Sequence, residues 1–340
     1  MHIQKGCEMK NPPIDIVYLW VDDNDKKWRA EKEKWLKKQD TTVLGRDSVS
    51  NERFRDNGEL LYSLRSVAEC APWVHHIYII TGFGQIPKWL NTKHPKITIV
   101  PHEEIIPNDA LPTFNANSIE MCIKNIKNLS EHFILLNDDM FFNKKLTPSY
   151  FFDSKGCAKY RYSSAQKISP DNLKNCTAYI QTIFLAQKTI LKLFNQNVFK
   201  YFPSHGIDPY IKSSIQECMK EPALRDKFEK QIRNKFRTCD EFQRVIFNFY
   251  DLVKGRAKFI HARARKYTRH KVLNFIYNSL HWWQIRKSNI VAPNVVAARY
   301  AIINAPTFCI NDAPTNTPEI LKQNREFLEA RFPNKCEFEK

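Results

Sequence analysis

Apolar and polar positions along this chain fall into two regimes. Over the first half, short runs rich in β-branched and aromatic residues alternate with longer amphipathic stretches. Ile14 to Trp20, Ile77 to Thr81, Ile97 to Val100 and Phe133 to Leu136 read as buried strands. Lys26 to Lys38, Leu60 to Val67 and Ser118 to Ile126 carry helical spacing, and Gly82 and Gly84 break the second strand. Strands separated by helices predict an α/β fold, with a doubly wound, mostly parallel sheet over residues 1–150.

From about Thr147 the pattern changes. Ile180 to Phe194, Pro209 to Met219 and Glu241 to Val253 predict helices, which makes residues 151–300 a mainly helical region. Residues 301–340 form a C-terminal segment, with the apolar run Phe308-Cys309-Ile310 and a helix over about Pro318 to Ala330. There is no internal repeat.

The polar residues that stop the apolar runs carry the candidate chemistry. Phe133-Ile134-Leu135-Leu136 ends abruptly in Asn137-Asp138-Asp139. Ligands of open α/β sheets bind at the carboxyl ends of strands, and adjacent acids repel unless a cation or substrate holds them. Trp20-Val21-Asp22-Asp23 and Ile310-Asn311-Asp312 repeat the apolar-to-acidic transition. A solvated turn and acids favouring a helix dipole are the plain alternatives. Arg65 lies on a helix among apolar neighbours and requires an anionic partner, either Asp56 or Glu59 nearby or a phosphate. Glu120 sits early in a helix, and His205 lies in the loop Pro203-Ser204-His205-Gly206, suited to moving protons near neutral pH or to a plain surface role.

Composition narrows this only in part. The 340 residues carry a net charge of +17, which favours a polyanion without choosing one. In the basic stretch from Arg256 to Lys271 the aromatics are sparse, Phe259 and Tyr267, which argues against a nucleic-acid platform. Nine cysteines show no two-residue-spaced pair, so a reducing cytoplasmic compartment is the expectation, with Cys70, Cys122 and Cys309 as core thiols. Met1 to Pro13 has no apolar signal core, and no run approaches the roughly 20 residues of a membrane span. No Walker A loop, dinucleotide glycine motif, nucleophile elbow or paired-histidine zinc helix is present.

As a set, the motifs resemble the Stealth family, which includes bacterial capsule polysaccharide phosphotransferases and the precursor of the animal lysosomal N-acetylglucosamine-1-phosphotransferase α/β subunit. Four blocks match in order. They are Ile14 to Asp22; Arg53 to Phe142, with Asp56-Asn57, Tyr62-Ser63-Leu64-Arg65-Ser66, Leu111-Pro112-Thr113-Phe114 and Asn137-Asp138-Asp139; Pro203 to Tyr250; and Phe308 to Pro333. Leu19 stands where many relatives have Thr, and Thr238 where the animal enzyme has His.

The resemblance implies a nucleotide-sugar transferase-like fold. It also implies transfer of a hexose-1-phosphate, N-acetylhexosamine-1-phosphate favoured, from a UDP-sugar such as UDP-GlcNAc to a glycan hydroxyl in capsule synthesis, releasing UMP. Its catalytic positions correspond to Glu120, Asp139, His205 and Arg237. Trp20, Asp22, Asp56, Asn57 and Arg65 would shape the donor end, and Asp139, Asn311 and Asp312 would hold Mg²⁺ or Mn²⁺. His205 or Asp139 is then the base, and Arg237 faces the β-phosphate. The bacterial branch implies a cytoplasmic protein, peripheral at the inner membrane, with a phosphate-bearing or capsular glycan as acceptor. A metal-dependent glycosyltransferase releasing UDP and a non-enzymatic polyanion-binding protein remain as rival readings.

Overall fold

A computed structural model of the chain describes residues 12–45, 48–164, 173, 176–261, 265–266 and 289–340. The apolar runs become the central sheet. Strands β1 (Ile14–Leu19), β2 (Ile77–Thr81), β3 (Ile97–Pro101) and β4 (His132–Asn137) pair in parallel in the order β3-β2-β1-β4. Their side chains alternate between two cores. Val17, Phe133 and Leu135 pack with the helices Ala116–Cys122 and Val245–Val253, whereas Ile16, Tyr18, Ile134 and Leu136 pack with the helix Glu59–Cys70. Coverage on both faces explains why β2 and the Phe133 to Leu136 run of β4 read as continuous apolar runs.

After β4 the chain turns through Asp138-Asp139 into β5 (Met140–Phe142). Two further sheets complete the frame. One joins β6 (Ala158–Ser164) to β7 (Tyr201–Pro203) and to β9 (Ala257–His261). The other runs β10 (Arg265–Lys266), β11 (Asn289–Val291), β12 (Thr307–Cys309), β5, and so brings the C-terminal segment back to the Asp138-Asp139 turn.

The segment Pro209 to Met219, expected as one helix, is instead β8 (Asp208–Ile211) followed by the helix Lys212–Lys220. β8 pairs antiparallel with β4 at the sheet edge, where a proline without an N–H is tolerated. The helix expected from Glu241 begins at Val245, because the residues before it fold as a loop around the Glu241 carboxylate. Two members of the basic stretch are already paired, Arg256 with Glu217 at 2.6 Å and Lys258 with Asp153 at 2.5 Å. Arg263, Tyr267, Arg269, Lys271 and Cys7 lie outside the described residues.

Candidate active site

β1 and β4 end side by side, with Leu19 opposite Asn137, so their continuations deliver Trp20, Asp22, Asp138 and Asp139 to one edge of the sheet. Antiparallel pairing of Met140 with Cys309 then sets β12 against the turn, and the Ile310 N–H donates to the Asp139 carbonyl at 3.0 Å. The Cys309 thiol donates to Asp139 Oδ2 at 3.2 Å. His205 arrives in the loop between β7 and β8, which is tied to β6 by the Ser204 N–H donating to the Arg161 carbonyl at 3.0 Å. Asp139, His205 and Cys309 present ligand atoms that all lie within 4.8 Å of one another.

Carboxylates crowd this end. Asp139 Oδ1 is buried with no hydrogen-bond partner. Burial pushes Asp139 up to about 6, opposed by the Cys309 thiol and Arg244. Burial, then Asp139 and Glu59, hold Asp138 far above the usual carboxyl range. Glu59 opens its helix and accepts from the Asn57 N–H at 2.8 Å and Asn57 Nδ2 at 2.9 Å, yet burial raises it to about 7. Asp56 accepts from the Gly58 N–H at 2.9 Å and from the Trp20 indole, and burial raises it too. Asp22 is clasped through its backbone by Gln85, at 3.1 and 2.8 Å.

The opposite flank is cationic. Arg244 donates to Glu120 Oε1 at 2.8 Å and, more weakly, to Asn137 Oδ1 at 3.4 Å, which links the basic flank to the β4 turn. Burial works against its charge, but Glu120, with Tyr210, Asp208 and Tyr179 behind it, more than offsets it, and Arg244 stays firmly protonated. Arg237 is pushed down by burial and by Arg244, and is supported by Glu120 and Glu241. Arg53 lies close enough to Arg237 that their like charges oppose each other. Glu120 Oε2 is buried without a hydrogen-bond partner.

The structure therefore gathers Trp20, Asp22, Asp56, Asn57, Asp139, His205, Glu120 and Arg237 around one edge of the sheet. Two expected residues are used otherwise. Arg65 points its guanidinium at the C-terminal tail, donating to both oxygens of Glu339 at 2.8 Å and to the Phe332 carbonyl at 2.9 Å, so it is a structural anchor rather than part of the donor end. Asp312 is also committed. Its Oδ2 accepts from Arg55 at 2.8 Å and Asn57 at 3.3 Å, and its Oδ1 from the Ala313 N–H at 2.7 Å and Asn316 at 2.8 Å. Four donors leave that carboxylate no lone pair for a cation.

A divalent cation does fit Asp139, whose orphaned Oδ1 offers a hard oxygen, and Asn311 follows Ile310 beside the same turn. Sequence reasoning missed Arg244, Cys309 and Glu59. Arg244 had a signal, a lone arginine opening the apolar run Val245-Ile246-Phe247. Cys309 had none, because its apolar flanks look like any core thiol.

Residues 12–40 match the family model Stealth protein CR1, conserved region 1, and residues 53–160 match Stealth protein CR2, conserved region 2. The chain is 30% identical over 356 residues to the exopolysaccharide phosphotransferase cps2G of Lactiplantibacillus plantarum, covering 96% of each. It is 29% identical to the capsular polysaccharide phosphotransferase WcwK of Streptococcus pneumoniae, covering 98% of this chain and 100% of that one. Among solved structures, the galactosyltransferase LgtC, in complex with donor and acceptor sugar analogs, aligns with 94% of this chain and 95% of its own at a TM-score of 0.43 and 11% identity. The near-full-length identity and the two conserved regions, which carry the Trp20 and Asp139 turns, show that this chain belongs to the Stealth family and is a phosphotransferase.

Proposed function

We propose that the chain transfers a hexose-1-phosphate, with N-acetylglucosamine-1-phosphate favoured, from a UDP-sugar to a hydroxyl of a capsular or exopolysaccharide glycan. The hydroxyl oxygen attacks the β-phosphorus, the bond from that phosphorus to the bridging oxygen breaks, and UMP leaves. The observation that carries this reading is the two-poled cluster of charged side chains at the β4 turn. Asp139 and His205 stand at an acidic end, and Arg237 and Arg244 at a basic one, joined through Asn137 and Glu120. Phosphoryl-type transfer asks for positioning and charge neutralisation rather than covalent help, and such a cluster supplies both.

Mg²⁺ or Mn²⁺, when bound, would neutralise the diphosphate oxygens. Asp139 Oδ1 would hold it, with Asn311 alongside. Arg237 presents its guanidinium to the β-phosphate, where charge redistributes. His205 takes the proton from the acceptor hydroxyl, with Asp139 as the rival base. Glu120 anchors Arg244 through Oε1 and leaves Oε2 buried without a hydrogen-bond partner beside it. Trp20, Asp22, Asp56 and Asn57 line the donor end. No helix of the described residues is long and apolar enough to cross a membrane. The net charge of +17 supports contact with a phosphate-bearing acceptor or the anionic inner face of a bacterial membrane, from the cytoplasm.

Nucleotide release tests the reaction. With UDP-N-acetylglucosamine, Mg²⁺ and capsule-derived oligosaccharide, the expected product is UMP. UDP would mean cleavage at the anomeric carbon and a conventional glycosyltransferase. Arg237→Lys should retain little of the UMP release, because an ammonium cannot reproduce the planar fork.

A further inference from the structure

The donor set at the Asp138-Asp139 turn is chemically mixed. Asp139 offers oxygen, His205 nitrogen and Cys309 sulfur, all within 4.8 Å of one another among the described residues. Mg²⁺ takes near-octahedral oxygen ligands and keeps several waters, so it has no use for the sulfur. Thiolate, imidazole and carboxylate together suit Zn²⁺, for which three protein ligands and an open fourth position are a common arrangement. Ligands at about 2.0–2.3 Å from a tetrahedral zinc lie roughly 3.5 Å apart. Asp139 and Cys309 already approach to 3.2 Å, held there by the Met140–Cys309 strand pairing. Asp139 Oδ1 is buried with no hydrogen-bond partner, a second sign that the pocket is built to receive something.

We propose that Asp139, His205 and Cys309 bind Zn²⁺ through a thiolate-containing site, and that the bound ion blocks sugar-phosphate transfer. The second half rests on the function proposed above, since the ion occupies the carboxylate and imidazole that the transfer uses. On binding, the Cys309 S–H bond breaks, its proton passes to solvent and a zinc–sulfur bond forms, with no change of oxidation state. His205 then has no lone pair for the acceptor proton. Asp139 no longer serves the diphosphate cation. Nitrogen and sulfur ligands favour Zn²⁺ heavily over Mg²⁺, so trace zinc competes against an excess of magnesium.

Cobalt provides an optical probe of the full-length, chelator-stripped protein. Co²⁺ should give a sulfur-to-cobalt charge-transfer band and strong visible bands of four-coordinate geometry, bleached by added Zn²⁺. Cys309→Ser should lose the charge-transfer band. Weak octahedral bands without charge transfer in the unaltered protein would overturn the site. In the nucleotide-release assay, Zn²⁺ should abolish UMP formation, and Cys309→Ser, referred to its own zinc-free rate, should need at least tenfold more Zn²⁺ for half-inhibition. Undiminished turnover at zinc concentrations that displace cobalt would overturn the inhibitory role. If the zinc-free protein releases no UMP from any UDP-sugar, the proposed function fails, and the cobalt spectrum still decides the site.

Discussion

Arg244 and Glu120, 124 residues apart in sequence, meet at 2.8 Å with side chains only 8% and 6% exposed. The pair ties the start of the helix Val245–Val253 to the helix Ala116–Cys122, and through Asn137 to the end of β4. Removing one partner would leave an uncompensated buried charge. Arg244→Met should therefore destabilise the protein by about 3–5 kcal/mol. Glu120→Gln, which keeps a hydrogen-bond acceptor, should cost less while still reducing turnover. Urea unfolding of both single variants and the double variant checks this, with a double loss smaller than the sum of the two single losses.

Asp208 on β8 predicts how stability depends on pH. Burial raises its carboxyl to about 7, with Arg244 and Arg161 pulling the other way. An unfolded aspartate ionises near pH 4. Between about pH 4 and the folded value of about 7, the folded chain therefore binds more protons than the unfolded one. This contribution to stability is complete below that window and is lost as pH rises through it. It amounts to a few kcal/mol in order of magnitude. Metal-free protein should melt at progressively lower temperature across this range. Asp208→Asn should flatten the slope without removing it, because Glu59 at about 7 and Asp139 at about 6 act in the same direction.

Arg65 distinguishes anchoring from donor binding. Its fork on Glu339 is nearly buried, with side-chain exposures of 15% and 7%. Arg65→Lys should lower stability by about 1–3 kcal/mol through loss of the bidentate geometry, and Glu339→Gln should do the same. The KM for the UDP-sugar should stay within twofold of the unaltered protein in both. A large rise in donor KM for Arg65→Lys but not for Glu339→Gln would return Arg65 to the nucleotide end.

What was legible in the chain follows from how far each feature depends on distant partners. β2 and the Phe133 to Leu136 run of β4 announced themselves because both faces are buried, and β1 and β3 because β-branched residues dominate them despite Asp15 and Thr98. The Asp138-Asp139 turn was equally plain, an abrupt change of polarity at a strand end. The split of Pro209 to Met219 into strand and helix was hidden, because it is decided by pairing with β4 rather than by local spacing. Cys309 and Asp139 become neighbours through an antiparallel ladder that no local pattern encodes. The partner of Arg65 sits in the last two residues of the chain, far from the Asp56 and Glu59 that its neighbourhood suggested.

Glu241 carries the remaining prediction. Its carboxylate is fully buried and accepts from Asn115 Nδ2 at 2.9 Å, Asn117 Nδ2 at 3.2 Å, Asn234 Nδ2 at 2.8 Å and the Thr238 N–H at 3.1 Å. Asn115 caps the helix that holds Glu120, and Asn234 and Thr238 flank Arg237. One carboxylate thus sets the guanidinium of the proposed phosphate contact relative to Glu120 on the same flank. Glu241→Gln would turn one acceptor oxygen into an amide donor facing other donors, and should cost about 1–3 kcal/mol of stability. It should also lower kcat at least tenfold with little change in donor KM, as expected for a group made effective only in the transition state, and in the same direction as Arg237→Lys. Glu241→Asp, which keeps both oxygens on a shorter stem, should fall between. The assays belong at a temperature where circular dichroism shows each variant folded. A Glu241→Gln enzyme that is less stable yet turns over at the unaltered rate would make Glu241 a clamp for the loop alone, with no part in aiming Arg237.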